Sequence, residues 1–236
     1  MRSSLTRSAQ EARRIRAAYE RRGRRGADAR YSLFEPAHLF QSQSLERAVI
    51  RSLRGEGYRS LAGLRILDTG CGSGSWLSGL RRYGAAASDL FGVDLRAEAL
   101  GGADPGLQLF AAAGDLLPFA SGSFDLVCQL TMLSSVLDAP VRRLIASELL
   151  RVLRLEGVLL WYDFTVNPFN HDTHGIGLRE LRGLFPEARI HAGRMTLAPP
   201  LTRLLAPRCW PACVALEQLP WLRTHLLATI RKPVAG

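Results

Sequence analysis

The sequence predicts an α/β protein with a doubly wound sheet, and three observations carry that prediction. From about residue 64 onward, short apolar runs of strand length alternate with amphipathic stretches of helix length. The first apolar run leads directly into glycines, "LRILDTGCGSGSWL", with Gly70, Gly72 and Gly74 at alternate positions. Acids then stand at the ends of three successive predicted strands: Asp68, Asp94 and Asp115. Carboxyl ends of strands are where open α/β sheets bind their ligands.

The elements follow in order. "LRILDTG" reads as a buried first strand, and "SWLSGLRRYGA" as a helix closed near Gly84. "LFGVDL" is the second strand and "LQLFAA" the third. "FDLVCQL" is the fourth, entered through the turn "ASGS". "VRRLIASELLRVL" places Val141, Leu144, Ile145, Leu149 and Val152 close to helical periodicity, with Pro140 at its start, where a missing amide costs least. "EGVLLWYDF" is the fifth strand. "RIHAGRMTLAP" and "HLLATIRK" are the last two, separated by a Pro-rich apolar stretch holding Trp210 and Trp221. Residues 1–60 read as a helical lid or accessory segment, and residues 61–236 as the main domain.

Composition narrows the class. A chain of 236 residues holds one sizeable core, and 47% hydrophobic with 22% charged residues is ordinary for a soluble globular protein. There is no apolar run of the ~18 residues a spanning helix needs. The N-terminus lacks the apolar core of a secretion signal, so a cytoplasmic location is expected. Cys209 and Cys213 are too loosely spaced for a CxxC clip and have no second Cys/His pair, so no metal is expected and Cys71, Cys128, Cys209 and Cys213 read as reduced thiols.

Net charge is +10, and the first thirty residues hold ten arginines against Glu11, Glu20 and Asp28. Such an arm can meet nucleic acid, acidic lipid or an anionic substrate; a solvated basic helix explains it equally simply and is preferred.

A strand running into glycines and a helix presents bare backbone to a ligand. A nicotinamide turn would read G-x-G-x-x-G, but the position three beyond Gly72 is Ser75, and Asp68 stands two residues ahead of the first glycine. An acid there suits an ammonium group better than a pyrophosphate. Asp94 can accept both hydroxyls of a ribose, and Asp115 can accept from an adenine amine, with Leu116 supplying a backbone contact beside it. Singly, each acid is explained by helix capping; the ordered set is not.

With those residues in view, "ILDTGCGSGSWL", "GVDL", "GDLLPFASGSFDLV" and "ELLRVLRLEGVLLWYDF" resemble the successive motifs of the class I S-adenosylmethionine-dependent methyltransferases. The resemblance covers roughly residues 60–165. It implies a Rossmann-like, seven-stranded, mostly parallel sheet with a reversed last strand, an N-terminal helical lid, and S-adenosyl-L-methionine as cofactor. It places Asp68, Gly70, Cys71, Gly72 and Gly74 at the methionine part, Asp94 and Leu95 at the ribose, Asp115 and Leu116 at the adenine, and Gln129 and Thr131 under the sulfonium. By position, Tyr19, Tyr31 and Phe34 close over the site. The stretches "WYDFTVNPFNHDTHGI", "LRGLFP", "TLAPPLTRLLAP" and "LPWLRTHLLATIRKP" are similar to a subgroup met in bacterial clusters for polysaccharides, glycolipids or natural products. That similarity implies a small-molecule or glycan acceptor.

Transfer to oxygen needs a base for the acceptor's proton. Asp163, His171 and His174 are the expected catalytic residues, beside Asn167, Asn170 and Asp172, and imidazole has the pKa for the work. The same residues also suit an exposed polar loop with an Asn-Pro turn. "NPFN" sits after the fifth strand and lacks the second proline of the amide-methylation signature, so it is coincidence. His38, His191 and His225 read as structural. The alternatives are an RNA methyltransferase using the arginine arm, opposed by the lack of interleaved aromatics, and a non-catalytic cofactor-binding scaffold. DNA is not expected as a partner; a homodimer stays open. The apolar stretch Leu197–Trp221, with its arginines, reads as core packing beside the last strand, with contact at a membrane surface as the alternative.

Overall fold

The computed structural model describes residues 2–23, 32–167 and 170–233. Seven strands form one sheet in the order β3-β2-β1-β4-β5-β7-β6. They are β1 (Ile66–Thr69), β2 (Leu90–Asp94), β3 (Gln108–Ala111), β4 (Phe124–Leu130), β5 (Leu153–Phe164), β6 (Arg189–Leu197) and β7 (Arg223–Arg231). The first five strands pair in parallel, and β7 runs antiparallel to both β5 and β6. Chain order reverses between β1 and β4, which makes their carboxyl ends the switch point of the sheet.

The central strands are continuous apolar runs because both faces are covered. Alternation divides them: Ile66, Leu126, Val158 and Leu160 face one helical layer, and Leu67, Val127, Leu159 and Trp161 face the other. The first layer contains α2 (Pro36–Gly55) and α3 (Ser75–Leu80), which contribute Val49, Leu53, Leu77 and Leu80. The second contains α4 (Ala139–Val152) and α5 (Leu178–Leu184), which contribute Val141, Ile145, Leu149 and Leu181. Within residues 1–60 the two helices therefore differ in role. α2 belongs to the core, whereas α1 (Arg2–Gly23) lies across the carboxyl end of the sheet.

The Pro-rich stretch between β6 and β7 departs from the sequence expectation, which gave it no helices. It forms α6 (Pro199–Leu205) and α7 (Trp210–Glu217), each with proline in its first turn. Proline there lacks only an amide that has no helical partner anyway, so the same residues that argue against structure begin it. Both helices pack with Phe40 and Leu197 in a third small cluster through Ala206 and Cys213. Among the described residues no helix is long and apolar enough to cross a membrane.

α4 starts at a well-made cap: Asp138 accepts from the Val141 amide at 3.0 Å, and Pro140 follows in the first turn. Asp138→Ala is expected to cost about 1 kcal/mol, read as a lower urea midpoint with an unchanged slope.

Candidate functional site

A cavity of about 140 Å³ opens at the carboxyl ends of β1, β2 and β4. Its walls are Gly70 and Gly72 after β1, Asp94 and Leu95 after β2, Asp115 after β3, and Thr131 and Met132 after β4. Its roof is a stripe of α1: Ser8, Glu11, Ala12, Ile15 and Tyr19.

The glycine turn works by space more than by donors. The Gly70 and Cys71 amides both donate to the Val93 carbonyl, at 2.7 and 3.1 Å, and the Gly72 amide donates to Asp94 Oδ2 at 3.0 Å. These donors tie the turn to β2 and are not offered to a ligand. Gly70 has φ +76°, and a Cβ there would stand 2.7 Å from the Met132 side chain. At Gly72, φ is +54° and a Cβ would meet nothing within 4 Å, so its bare side faces open space.

Asp94 is the hinge of the site. Oδ2 holds Gly72, while Oδ1 accepts from the Arg96 amide at 2.9 Å and lies 3.5 Å from Arg96 Nε. A carboxylate has about four acceptor positions, so capacity remains toward the cavity. The Arg96 guanidinium in turn lies 4.1 Å from the centre of the Tyr19 ring, which ties the roof to the same acid.

Asp68 lies beneath the turn rather than in the cavity wall. It is 3% exposed, and its Oδ1 is buried with no hydrogen-bond partner. Burial, and then the nearby Asp94 charge, push its carboxyl up to about 8. Thr131 lines the cavity with φ +59°, a strained conformation for a β-branched residue, fixed by its amide donating to the Tyr162 carbonyl at 2.7 Å.

Several sequence-predicted residues lie elsewhere. Cys71 and Gly74 are not in the cavity wall: Cys71 is buried in the core, and Gly74 caps α3. Leu116 points outward at 75% exposure, and its amide closes a turn on the Ala113 carbonyl. Gln129 does not face the cavity. It is fully buried, and its Nε2 donates to Asp163 Oδ2 at 3.1 Å, away from the cavity. Asp163 does not line it either. Fully buried, it accepts from the Ser134 and Phe164 amides at 2.9 Å each and from Gln129, while burial pushes it up to about 6. It pins the loop after β4 to β5. Tyr31 lies outside the described residues, as do two residues of the "NPFN" stretch. Phe34 is fully exposed and does not line the cavity.

His171 is exposed. His174 is held from both ends: its amide donates to the Ser134 carbonyl at 2.8 Å, and its Nε2 lies 2.8 Å from Glu180 Oε2. Glu180 Oε1 meets Arg142 Nη2 at 3.1 Å, and Arg142 is 5% exposed. Neither histidine lines the cavity.

The sequence predicts the roof as a helical lid with Tyr19, but its arginines hide the other roof residues. Ser8, Glu11, Ala12, Ile15 and Tyr19 recur at three- and four-residue spacing on one face, a signal that was available. The arginines clamp that face down. Arg14 pairs with Glu11 at 2.8 Å and donates to the Ser135 carbonyl, Arg16 donates to the Leu95 carbonyl at 3.1 Å, and Arg21 meets Asp172 at 2.8 Å. Glu11 also accepts from the Leu137 amide at 2.5 Å, and those partners hold its carboxyl below the ordinary range despite burial.

Residues 67–161 match the family model described as a methyltransferase domain. The ubiquinone biosynthesis O-methyltransferase of Caulobacter sp. (strain K31) is 33% identical over 115 residues, which are 44% of this chain and 46% of that protein. The chain thus matches about half the length of this curated relative. The 1,6-didemethyltoxoflavin-N1-methyltransferase of Burkholderia thailandensis, solved with its substrate and S-adenosylhomocysteine, superposes with a TM-score of 0.63 at 16% identity, covering 96% of this chain and 90% of that one. An S-adenosylmethionine-dependent methyltransferase from Mesorhizobium loti gives 0.56 at 18% identity, covering 77% of this chain and 96% of that one. At such identities these structures speak for the fold.

Proposed function

We propose that this chain is a class I S-adenosylmethionine-dependent methyltransferase, as its match to a methyltransferase domain supports, and that it methylates an oxygen of a small-molecule or saccharide acceptor. The carrying observation is the cavity at the switch point, where Gly72, Asp94, Asp115 and Thr131 meet. It fits the cofactor on its own chemistry: open acceptor positions on Asp94, an open Cβ direction at Gly72, and an unpartnered buried carboxylate oxygen on Asp68.

When bound, S-adenosylmethionine supplies a methyl group made electrophilic by the adjoining sulfonium. Asp94 accepts the ribose hydroxyls with its remaining positions, and Asp115 accepts the adenine amine. Asp68 supplies negative charge under the turn for the ammonium. Thr131 and Met132 fix the floor, and α1 closes the roof and excludes water. Positioning of this kind is the main catalytic resource of an in-line transfer. Of the N-terminal segment, α1 serves as the lid, while α2 is part of the core.

For the acceptor's proton we assign His174, oriented by Glu180 with Arg142 behind it, and His171 as its neighbour in the same loop. The curated relative is named for an O-methylation, which supports oxygen as the target, and the Burkholderia enzyme is named for a small heterocycle. The internal partners of Arg14, Arg16 and Arg21 weigh against an RNA-binding arm, and the intact site weighs against a scaffold. A cytoplasmic location remains part of this reading.

Calorimetry with S-adenosylmethionine tests the base of the proposal, and an acceptor screen with methyl-labelled cofactor tests the rest. With the acceptor so found, His174→Ala is expected to lower kcat by roughly 100-fold or more and leave donor Kd unchanged. Glu180→Gln is expected to fall between that variant and the native chain. Equal turnover by His174→Ala would remove the base assignment.

A further inference from the structure

The region between β6 and β7 faces outward with a chemistry the methyl-transfer site does not use. α6 and α7 bury Thr202, Ala206 and Cys213 inward. On their outer stripes they expose Leu204 at 57% and Val214 at 44%, and Trp221 follows at 72%. α6 packs on α7, and α7 on the turn holding Trp221, so these exposed apolar side chains are gathered in one region of the surface rather than scattered. Phe34, fully exposed, precedes α2, whose Ala37 and Phe40 pack into the same small cluster as α6 and α7.

Charge selects the occupant of that face. Residues 188–236 hold six arginines and Lys232 against one acid, Glu217. Glu217 is engaged by Ser44 Oγ at 2.7 Å. Arg203 and Arg208 are exposed on α6 and the turn after it, beside Leu204. A groove of about 530 Å³ adjoins the face, with α2, β6 and β7 along it and the end of α7 at its edge. Arg51, Arg194 and Arg223 line it, and the Arg51 and Arg194 side chains have no partner among the described residues. Its other acid, Glu56, is taken up by Arg231 at 2.6 Å and Thr229 at 2.7 Å. The floor is bare at Gly193, where a Cβ would meet nothing within 4 Å.

Apolar side chains including an exposed tryptophan, rimmed by unneutralised arginines, match a surface with an apolar interior and an anionic skin. We propose that the outer face of α6, α7 and Trp221, with the Arg51–Arg194 groove beside it, docks on an anionic lipid bilayer. The apolar residues enter the headgroup boundary, and the groove receives a headgroup phosphate. Donor binding does not enter this proposal, so it stands or falls apart from the methyl-transfer reading.

The full chain is sedimented with vesicles of phosphatidylcholine alone and with vesicles of equal parts phosphatidylcholine and phosphatidylglycerol. Partition onto the anionic vesicles is expected to be at least ~10-fold stronger and to weaken with salt. The double variant Trp221→Ser, Leu204→Ser is expected to lose about 10-fold or more of it. The double variant Arg51→Gln, Arg194→Gln is expected to lose about fivefold for each charge. These residues are exposed or at the groove rim, so unchanged melting and unchanged S-adenosylmethionine affinity serve as controls.

Absence of binding to anionic vesicles by the native chain overturns the proposal, as does native-like binding by both double variants. So does loss of binding only when α1 arginines are replaced, which would move the contact to the N-terminal helix. Two further results overturn it. Displacement by millimolar glycerol phosphate would mean a soluble-phosphate site, and a lipid-free dimer abolished by Trp221→Ser, Leu204→Ser would mean a face between copies of this chain.

Discussion

Asp68→Asn is expected to make the protein more stable above neutral pH and a worse binder of its methyl donor. Folding buries this carboxyl, and burial with the Asp94 charge raises its pKa from 3.8 to about 8. In the unfolded chain the group ionises near the ordinary value, whereas in the fold it keeps its proton until about pH 8. Its contribution to stability is therefore whole in acid and is lost as pH rises between about 4 and 8. Asparagine keeps the shape and never ionises. Its advantage over the native chain should be absent in acid and grow by about 1.4 kcal/mol per pH unit above the unfolded pKa, reaching several kcal/mol near pH 8. Thermal melts at both ends of that range measure it.

Donor affinity should move the other way. The unpartnered Oδ1 keeps Asp68 neutral until a positive charge arrives, and an ammonium nearby makes the ionised form favourable. Binding at neutral pH then releases a proton, so the calorimetric enthalpy of the native chain should vary with the buffer's ionisation enthalpy. Asp68→Asn should lose that variation along with roughly 10- to 100-fold in affinity. Unchanged affinity would show that Asp68 is a core residue with no part in the donor site.

The motif acids and the strands were legible because their physics is local. A parallel strand covered on both faces must be apolar throughout, and a ligand at the switch point must meet the strand ends, so Ile66–Thr69, Asp94 and Asp115 follow from pattern. What pattern does not carry is direction. Gln129 and Thr131 are both near the carboxyl end of β4, yet Asp163 draws Gln129 into the core while Thr131 faces the cavity. Asp163 reads as an available base until it is seen fully buried, off the cavity wall, with three donors, Ser134, Gln129 and Phe164, already on it. The roof residues other than Tyr19 on the expected lid helix were missed for the opposite reason. Arginine dominated the composition of α1 and concealed a stripe whose partners lie on loops more than a hundred residues away. Local propensity finds elements; long-range hydrogen bonds decide which side chains of an element meet a ligand.

Asp94→Ala should have the larger effect on function, because one carboxylate does three things at once. It fixes the Gly72 amide at 3.0 Å, it fixes the Arg96 amide at 2.9 Å, and its charge adds to the burial that keeps Asp68 protonated. In the proposed complex it also accepts the ribose hydroxyls. Two hydrogen bonds to a charged group are worth about 1.5–3 kcal/mol each, so donor Kd should rise about 100-fold or more. Asp94→Asn can still accept at one oxygen and should fall between. Removing the Asp94 charge also lowers the Asp68 pKa, so the stability gain of Asp68→Asn should shrink in an Asp94→Asn background. The two effects are therefore non-additive, as expected for groups in direct electrostatic contact. A double-mutant cycle over melting temperature and donor Kd reads that coupling in both quantities. If the four proteins instead gave additive stabilities and near-equal affinities, the two acids would be independent caps and the donor site would have to lie elsewhere.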